Sequence, residues 1–344
     1  MDLSIIYPVH ITKESRYILA RLDQCLRHTI RNAGSAEHII VLSGDKPYIQ
    51  DAIKITNHID QIQTIFDDNP STPYSPGIAR NIGIQRSSKQ QLLFWDIDLL
   101  GSPLFFQELV SHTKNVQQQP NTFYMYPCLY LTEQYTKELF IQNLDEEVKD
   151  TTLEQCYSDA TQLKTNSIEH FALATSTILC NKTKLEKLGS FSPEFVGHMG
   201  EDLELLNRLA INAQQYPIEQ DHTLDHSSKN PSQLKGFRKH FARYSIPHLQ
   251  EGIFTVHLHH STRIYSNYKN SKQKNLKLLH SKIFQSLKNI PKAETQVFEF
   301  KEDYLNQAPK IEKSLKERLY RKTIKMIRNP KNFIKDSIKN IKKI

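Results

Sequence analysis

The first 98 residues of this chain alternate between strand-like and helix-like hydrophobic runs, and that alternation restricts the fold more than any other feature. Leu3–Val9 is a short apolar run, and Ser15–Asn32 carries the three-to-four-residue spacing of an amphipathic helix. Glu37–Leu42, Gln61–Phe66 and Gln91–Trp95 read as further strands, with helices over Pro47–Thr56 and Gly77–Arg86 between them. Strands separated by helical segments predict an α/β fold, with a mainly parallel sheet flanked by helices on both faces. In such sheets ligands bind beyond the carboxyl ends of the strands. Polar residues that directly follow a strand are therefore candidates by position.

Farther along, the pattern over residues 123–171 is mixed. Phe171–Cys180 reads as a strand and Lys182–Leu188 as a short helix closed by Gly189. Glu201–Asn212 is amphipathic, with Leu203, Leu206, Leu209 and Ala210 on one face. Lys229–Gln250 reads as an inserted segment with its own helix. Ile253–Leu258 is a strand leading into histidines, and Tyr268–Asn289 is a Lys-rich helix. This organisation predicts one domain over residues 1–265 and a helical, strongly basic extension over residues 266–344.

The formal net charge is +8, and its distribution separates partner classes. Residues 310–344 hold 13 Lys and Arg against 3 Asp and Glu, which leaves 32 basic and 34 acidic residues in the rest. The body is close to neutral. In the tail, Leu315, Leu319, Ile324 and Ile327, then Ile334, Ile338 and Ile341, form an apolar stripe between cations, interrupted at Asn329-Pro330. A helix of that kind suits an anionic membrane surface. Packing against the parent domain is the other reading. Nucleic acid is not expected, because no basic, aromatic-rich recognition motif accompanies the charge. No run approaches the roughly 18 apolar residues of a membrane span, and the opening residues do not read as a secretory signal. Cys25, Cys128, Cys156 and Cys180 form no Cys-x-x-Cys pair, as expected of reduced thiols in a cytoplasmic protein.

Four constellations carry chemistry. Asp96-Ile97-Asp98 follows the apolar run Leu92-Leu93-Phe94-Trp95, so two carboxylates stand where a strand ends and can bear on one divalent cation. Gly197-His198-Met199-Gly200-Glu201-Asp202 sets two acids at the start of a helix, a place suited to capping and equally to a general base. His257-Leu258-His259-His260 ends a strand. In extended chain 257 and 259 share a face, and after a turn 257 and 260 converge. Ser75-Pro76-Gly77-Ile78-Ala79-Arg80-Asn81-Ile82-Gly83 opens a helix whose Arg80 can clamp a phosphate or face solvent.

In this order, the four resemble family 2 glycosyltransferases of the GT-A fold, in particular the predicted capsule-biosynthesis branch, with likeness to chondroitin-polymerase and β-1,4-galactosyltransferase domains. The opening strand Ser4–Val9, the Ala79–Gly83 segment, Asp96-Ile97-Asp98, Leu188-Gly189-Ser190-Phe191 with Gly200-Glu201-Asp202, and His257–His260 carry it, across about residues 1–265. The sequence departs from the pattern in two places. Trp95-Asp96-Ile97-Asp98 replaces a commoner run of three acids, and the histidines stand farther after Glu201-Asp202 than in many relatives.

The resemblance implies a role for each matching position. Asp98 binds Mn²⁺ or Mg²⁺, with Asp96 turned toward metal or donor ribose, and His260 completes the metal shell with His257 as a further ligand, the choice among His257, His259 and His260 staying open. Arg80 sits near the donor diphosphate, and Pro8, Val9 and His10 line a nucleobase pocket. Asp202 is the general base and Glu201 holds acceptor hydroxyls. The implied activity is inverting transfer of a hexosyl or N-acetylhexosaminyl group from a nucleotide-sugar, UDP-linked by expectation. The acceptor is an oligosaccharide, polysaccharide or lipid-linked glycan, and the site of action is the inner face of the cytoplasmic membrane. The 229–250 segment would then lie on the acceptor side. Alternatives are a sugar-nucleotide nucleotidyltransferase, disfavoured because Pro8-Val9-His10-Ile11-Thr12 offers no Gly-rich phosphate loop, and a non-enzymatic adaptor acting through the tail.

Overall fold

The structure, a computed structural model, describes residues 1–59, 61–141, 150–161, 166–228, 231–260 and 270–288. Its frame repeats one step. Strand β1 (Leu3–Ile11) leads through a 3-10 turn into α1 (Ile18–Ala33), followed by β2 (Glu37–Gly44), α2 (Lys46–Thr56), β3 (Ile62–Phe66), α3 (Pro76–Arg86) and β4 (Gln91–Phe94). β1 lies between β2 and β4, β3 flanks β2, and all four run parallel. This is the expected α/β architecture.

Parallel strands covered on both faces bury nearly continuous apolar runs. In β1 only Pro8 and His10 are not fully buried, and β4 is buried throughout. Leu3, Ile5, Tyr7, Val9 and Ile11 face Ile18, Leu22 and Leu26 of α1, while Ile6 on the opposite face packs with Ala79 and Ile84 of α3. Each such aliphatic side chain contributes about 1.5–3 kcal/mol by leaving water. α1 begins later than its sequence pattern suggests. Lys13–Ser15 forms a separate 3-10 turn, in which the Thr12 N–H donates to Ser15 Oγ at 2.8 Å.

After β4 the chain builds a second sheet. Short strand β5 (Leu99–Gly101) precedes α4 (Pro103–Gln118), β6 (Tyr124–Met125), β7 (Cys128–Leu131), α5 (Glu133–Ile141), α6 (Asp150–Thr161), β8 (Ile168–Ala172) and β9 (Ile178–Asn181). The segment Phe171–Cys180, which reads as one strand, is two. β8 ends the second sheet and β9 joins the first, antiparallel to β4, with β6 outside it. Helices α7 (Lys182–Lys187) and α8 (Glu201–Ala213) follow, then a two-residue pair, β10 (Asp225–His226) with β11 (Lys235–Gly236). Helix α9 (Phe237–Gln250), β12 (Thr255–His257) and α10 (Lys272–Lys288) complete the described residues. The main sheet runs β3-β2-β1-β4-β9-β6 and the second β5-β12-β7-β8.

α9, which falls in the segment read as an insertion, is a core helix. Phe237, Phe241 and Tyr244 pack under the main sheet, and Ala242, Ile246 and Leu249 pack under the second. Its cations look solvated in the sequence, yet Arg243 is buried against Glu219 and Arg238 pairs with Asp225 at 2.7 Å. All four cysteines are buried and free. No helix among the described residues is long and apolar enough to cross a membrane. The stripe at 310–344 lies outside the described residues, as do residues 229–230 and 261–269.

Gly83 sets how closely α3 lies on β1. A Cβ there would stand 2.4 Å from Ile6 Cγ2, a β-branched methyl with nowhere to move inside the sheet. Gly83→Ala gains helix propensity, about 1 kcal/mol, and incurs overpacking of about 1–3 kcal/mol. The expected net effect is a loss of up to about 2 kcal/mol in urea unfolding. A raised midpoint would contradict this packing.

Candidate active site

The site is built where the two sheets meet. β12 pairs antiparallel with β5, placing His257 opposite Leu99, and it pairs parallel with β7, placing His257 beside Tyr130. One residue past each strand, the Leu258 N–H donates to the Asp98 carbonyl at 3.0 Å. This backbone clamp sets Asp98 against the histidine segment. His257 Nε2 lies 3.4 Å from Asp98 Oδ1, and His260 Nε2 lies 3.7 Å from Asp98 Oδ2. Among the described residues, Asp98, His257 and His260 form a group whose ligand atoms all lie within 4.8 Å of one another.

The chain leaves extended geometry after His257, so 257 and 260 converge and 259 does not. The His259 N–H donates instead to Thr136 Oγ1 at 2.8 Å. Burial works to raise the Asp98 carboxyl, but His257, Arg21 and His260 outweigh it and hold the group below the usual carboxylate range. One carboxylate and two imidazoles fit a divalent transition ion. They suit Mn²⁺ better than Mg²⁺, which favours oxygen ligands.

Asp96, expected to turn toward metal or donor ribose, falls outside this group. Its Oδ1 accepts from Arg80 Nη2 at 2.8 Å and its Oδ2 from Ser176 Oγ at 2.8 Å. The reason is strand geometry: the Leu99 N–H turns back to the Asp96 carbonyl, and the two carboxylates leave the turn toward different neighbours. Arg80 is also more enclosed than a phosphate clamp requires. It is 2% exposed, and its Nη1 reaches Glu201 Oε1 at 3.4 Å. Its guanidinium thus joins the end of β4 to the start of α8.

Local sequence explains that position. Ser75 caps α3, accepting from the Ile78 N–H at 3.3 Å and donating to the Phe195 carbonyl at 2.7 Å, with Pro76 at the first helical position. Asn81, beside Arg80, exchanges two hydrogen bonds with the Phe191 backbone at 2.8 and 2.9 Å. Gly200 starts α8 with φ 114°, where a Cβ would meet the Phe195 ring at 2.7 Å. The loop before it is tied to α10, because buried Asn275 donates to the Val196 and His198 carbonyls at 3.0 and 3.1 Å.

Glu201 is buried and Asp202 half-buried, and both line one cleft with Asp96, Asp98, His257 and His260. The cleft, about 1760 Å³, exceeds what one small ligand fills, so it has room for two substrates side by side. Burial and the Asp202 carboxylate push Glu201 up to about 7, against the pull of Arg80. Pro8 and His10 line the cleft, and His10 stacks on Tyr74 with ring centroids 4.3 Å apart. Val9 does not line it. Alternation along β1 turns Val9 to the α1 side, where it is 1% exposed.

Three neighbours of the site have no motif in the sequence. Arg21 and Tyr17 look like ordinary helix-face residues, and Tyr130 like a strand aromatic, though their i, i+4 spacing on α1 shows that the first two share a face. Tyr130 stacks on His257 at 4.6 Å and, on its other side, on His170 at 4.4 Å.

The fold and the site define an α/β domain with a metal-competent cleft beyond the strand ends. Residues 4–289 match the family described as Glycosyltransferase like family 2, and the chain belongs to that family. No curated protein matches it in sequence. Among solved structures it is similar to the mannosyltransferase PcManGT from Pyrobaculum calidifontis in complex with GDP-Man and Mn²⁺, at 10% identity and TM-score 0.45, over 89% of this chain and 68% of that one. It is similar to S. aureus TarS at 16% identity and TM-score 0.38, over 62% of this chain and 34% of TarS. It is also similar to glucosyl-3-phosphoglycerate synthase from Mycobacterium tuberculosis, at 16% identity and TM-score 0.34, over 60% and 63%.

The raised Glu201 carboxyl gives a pH test. Folding tightens its proton, so this stabilisation is whole below about 4.5 and is lost as pH rises through about 7. The melting temperature of Glu201→Gln minus that of the wild type should therefore increase between pH 5.5 and 8. A difference that stays flat would contradict the burial of this charge.

Proposed function

We propose that this chain is an inverting, metal-dependent glycosyltransferase. It moves a hexosyl or N-acetylhexosaminyl group from a nucleotide-sugar, UDP-linked in the first instance, to a hydroxyl of a capsular or other surface glycan. The observation that carries this reading is the meeting of Asp98, His257 and His260 in the cleft that Asp202 also lines. Asp98, His257 and His260 would hold a divalent cation, which would supply positive charge to offset that of a departing nucleoside diphosphate.

The chain's own groups do the rest. An acceptor hydroxyl is too weak an acid to ionise unaided near neutral pH. The half-buried Asp202 carboxylate, at the start of α8, takes its proton as the new bond forms. Attack opposite the leaving group turns an α-linked donor into a β-linked product. Glu201 is held by Arg80 and retains a proton more readily than a free carboxyl, which fits it for hydrogen bonding to acceptor hydroxyls. Pro8 and the His10–Tyr74 stack offer a flat wall for the nucleobase. Membrane association through residues 310–344, at the inner face of the cytoplasmic membrane, belongs to the same proposal and rests on the charge and periodicity of the tail.

Nucleotide release from UDP-, GDP- and CDP-sugars with Mn²⁺, with and without chelator, identifies the donor. With that donor, Asp202→Asn should lower transfer by about 10²–10⁴-fold, with Mn²⁺ and donor binding unchanged. Near-normal turnover in this variant would remove Asp202 from the role of base.

A further inference from the structure

We infer that Arg21 is the positioning residue of the metal site and that Tyr17, one turn earlier at the N-cap of α1, completes the brace. This rests on Asp98, His257 and His260 being the ligands. Arg21 is 6% exposed, deep for a residue that the helix pattern alone would leave at the surface. Its Nη1 donates to Asp98 Oδ2 at 3.1 Å and to the Leu258 carbonyl at 3.3 Å, and its Nη2 donates to the His259 carbonyl. One rigid group thus grips a ligand carboxylate and both backbone carbonyls between the two ligand histidines. The guanidinium lies 4.6 Å over the Tyr17 ring, and that ring stacks on His260 at 5.4 Å and 18°. The brace therefore touches Asp98 and His260 directly and His257 through the backbone that follows it.

The geometry matters for more than charge. With Asp98 Oδ2 tied to Arg21, Oδ1 is the oxygen turned to His257. A planar fork with five N–H donors can span three acceptors at fixed angles. A lysine ammonium carries the same charge but offers one nitrogen on a flexible stem. Arg21→Lys therefore keeps the local charge and removes the fork. A substitution that also deleted the charge would mix two opposing effects, since a nearby cation repels a metal ion.

The experiment uses the full chain and Mn²⁺ alone, with free Mn²⁺ followed by electron paramagnetic resonance. Residues that orient metal ligands from behind typically account for 10–100-fold in affinity. Arg21→Lys should weaken Mn²⁺ binding by about that factor, with the metal-free melting temperature close to wild type. Tyr17→Leu, which removes the stacked ring and leaves Arg21, should weaken it at least fivefold, and it carries the test if Arg21→Lys does not fold. His257→Ala, which removes a ligand outright, serves as the reference and should weaken this binding more than either brace variant does. If His257→Ala weakens Mn²⁺ binding while the brace variants stay within twofold of wild type, the brace is overturned and the site stands. If His257→Ala binds as wild type does, the metal site itself is wrong.

Discussion

The site depends on one backbone hydrogen bond, from the Leu258 N–H to the Asp98 carbonyl, at the point where β12 meets the chain leaving β4. Asp98 and His257 are far apart in sequence, and nothing local brings them together. The pairing of β12 with β5 on one side and β7 on the other aligns the strand ends. The clamp then fixes them so that a carboxylate and two imidazoles face a common point. Shifting β12 by one residue would turn His257 to the opposite face of its sheet and dissolve the cluster.

Around that point the cleft is organised by two buried guanidiniums. Arg21 ties Asp98 to the histidine backbone, and Arg80 ties Asp96 to Glu201. Arg80 sits between two carboxylates that would otherwise repel one another in a low-dielectric setting, and Arg21 offsets the one buried carboxylate of Asp98. Removing one partner from such a buried set typically costs about 3–5 kcal/mol, because the remaining charge is stranded. The two arginines divide the acids by task. Asp98 is held low and ready for a cation, while Glu201 is held where it retains a proton near neutral pH. Asp202 lies half-buried at the cleft wall.

Much of the fold is legible in the sequence because β1, β2 and β4 are mostly apolar and buried and the helices α1 and α2 between them are amphipathic. Both patterns arise from burial on a fixed period. Legibility fails where burial and sequence type part company. Phe171–Cys180 reads as one apolar run, yet the chain turns within it to pass from one sheet to the other. The α9 segment looks solvated because its cations do not announce the carboxylates that neutralise them. At the site, residue types at strand ends point to the acids and histidines, but not to which atoms converge. Nothing in the sequence shows that Arg80 and Ser176 bond the Asp96 oxygens while Asp98 alone of the two acids meets the histidines. Val9 fails for a simpler reason: neighbours on a strand face opposite ways. Tyr17 and Arg21 carry no motif at all, and their part follows only from what the returning chain sets in front of them.

The central claim is that Asp98, His257 and His260 bind one divalent ion. Pulsed electron paramagnetic resonance of the Mn²⁺-loaded chain tests it most directly, because imidazole nitrogen bound to Mn²⁺ imprints its own modulation on the echo. The account predicts ¹⁴N modulation in the wild type that is reduced in His257→Ala and again in His260→Ala, and unchanged in His259→Ala. Bound Mn²⁺ with no nitrogen modulation, or modulation that survives loss of both His257 and His260, would contradict it.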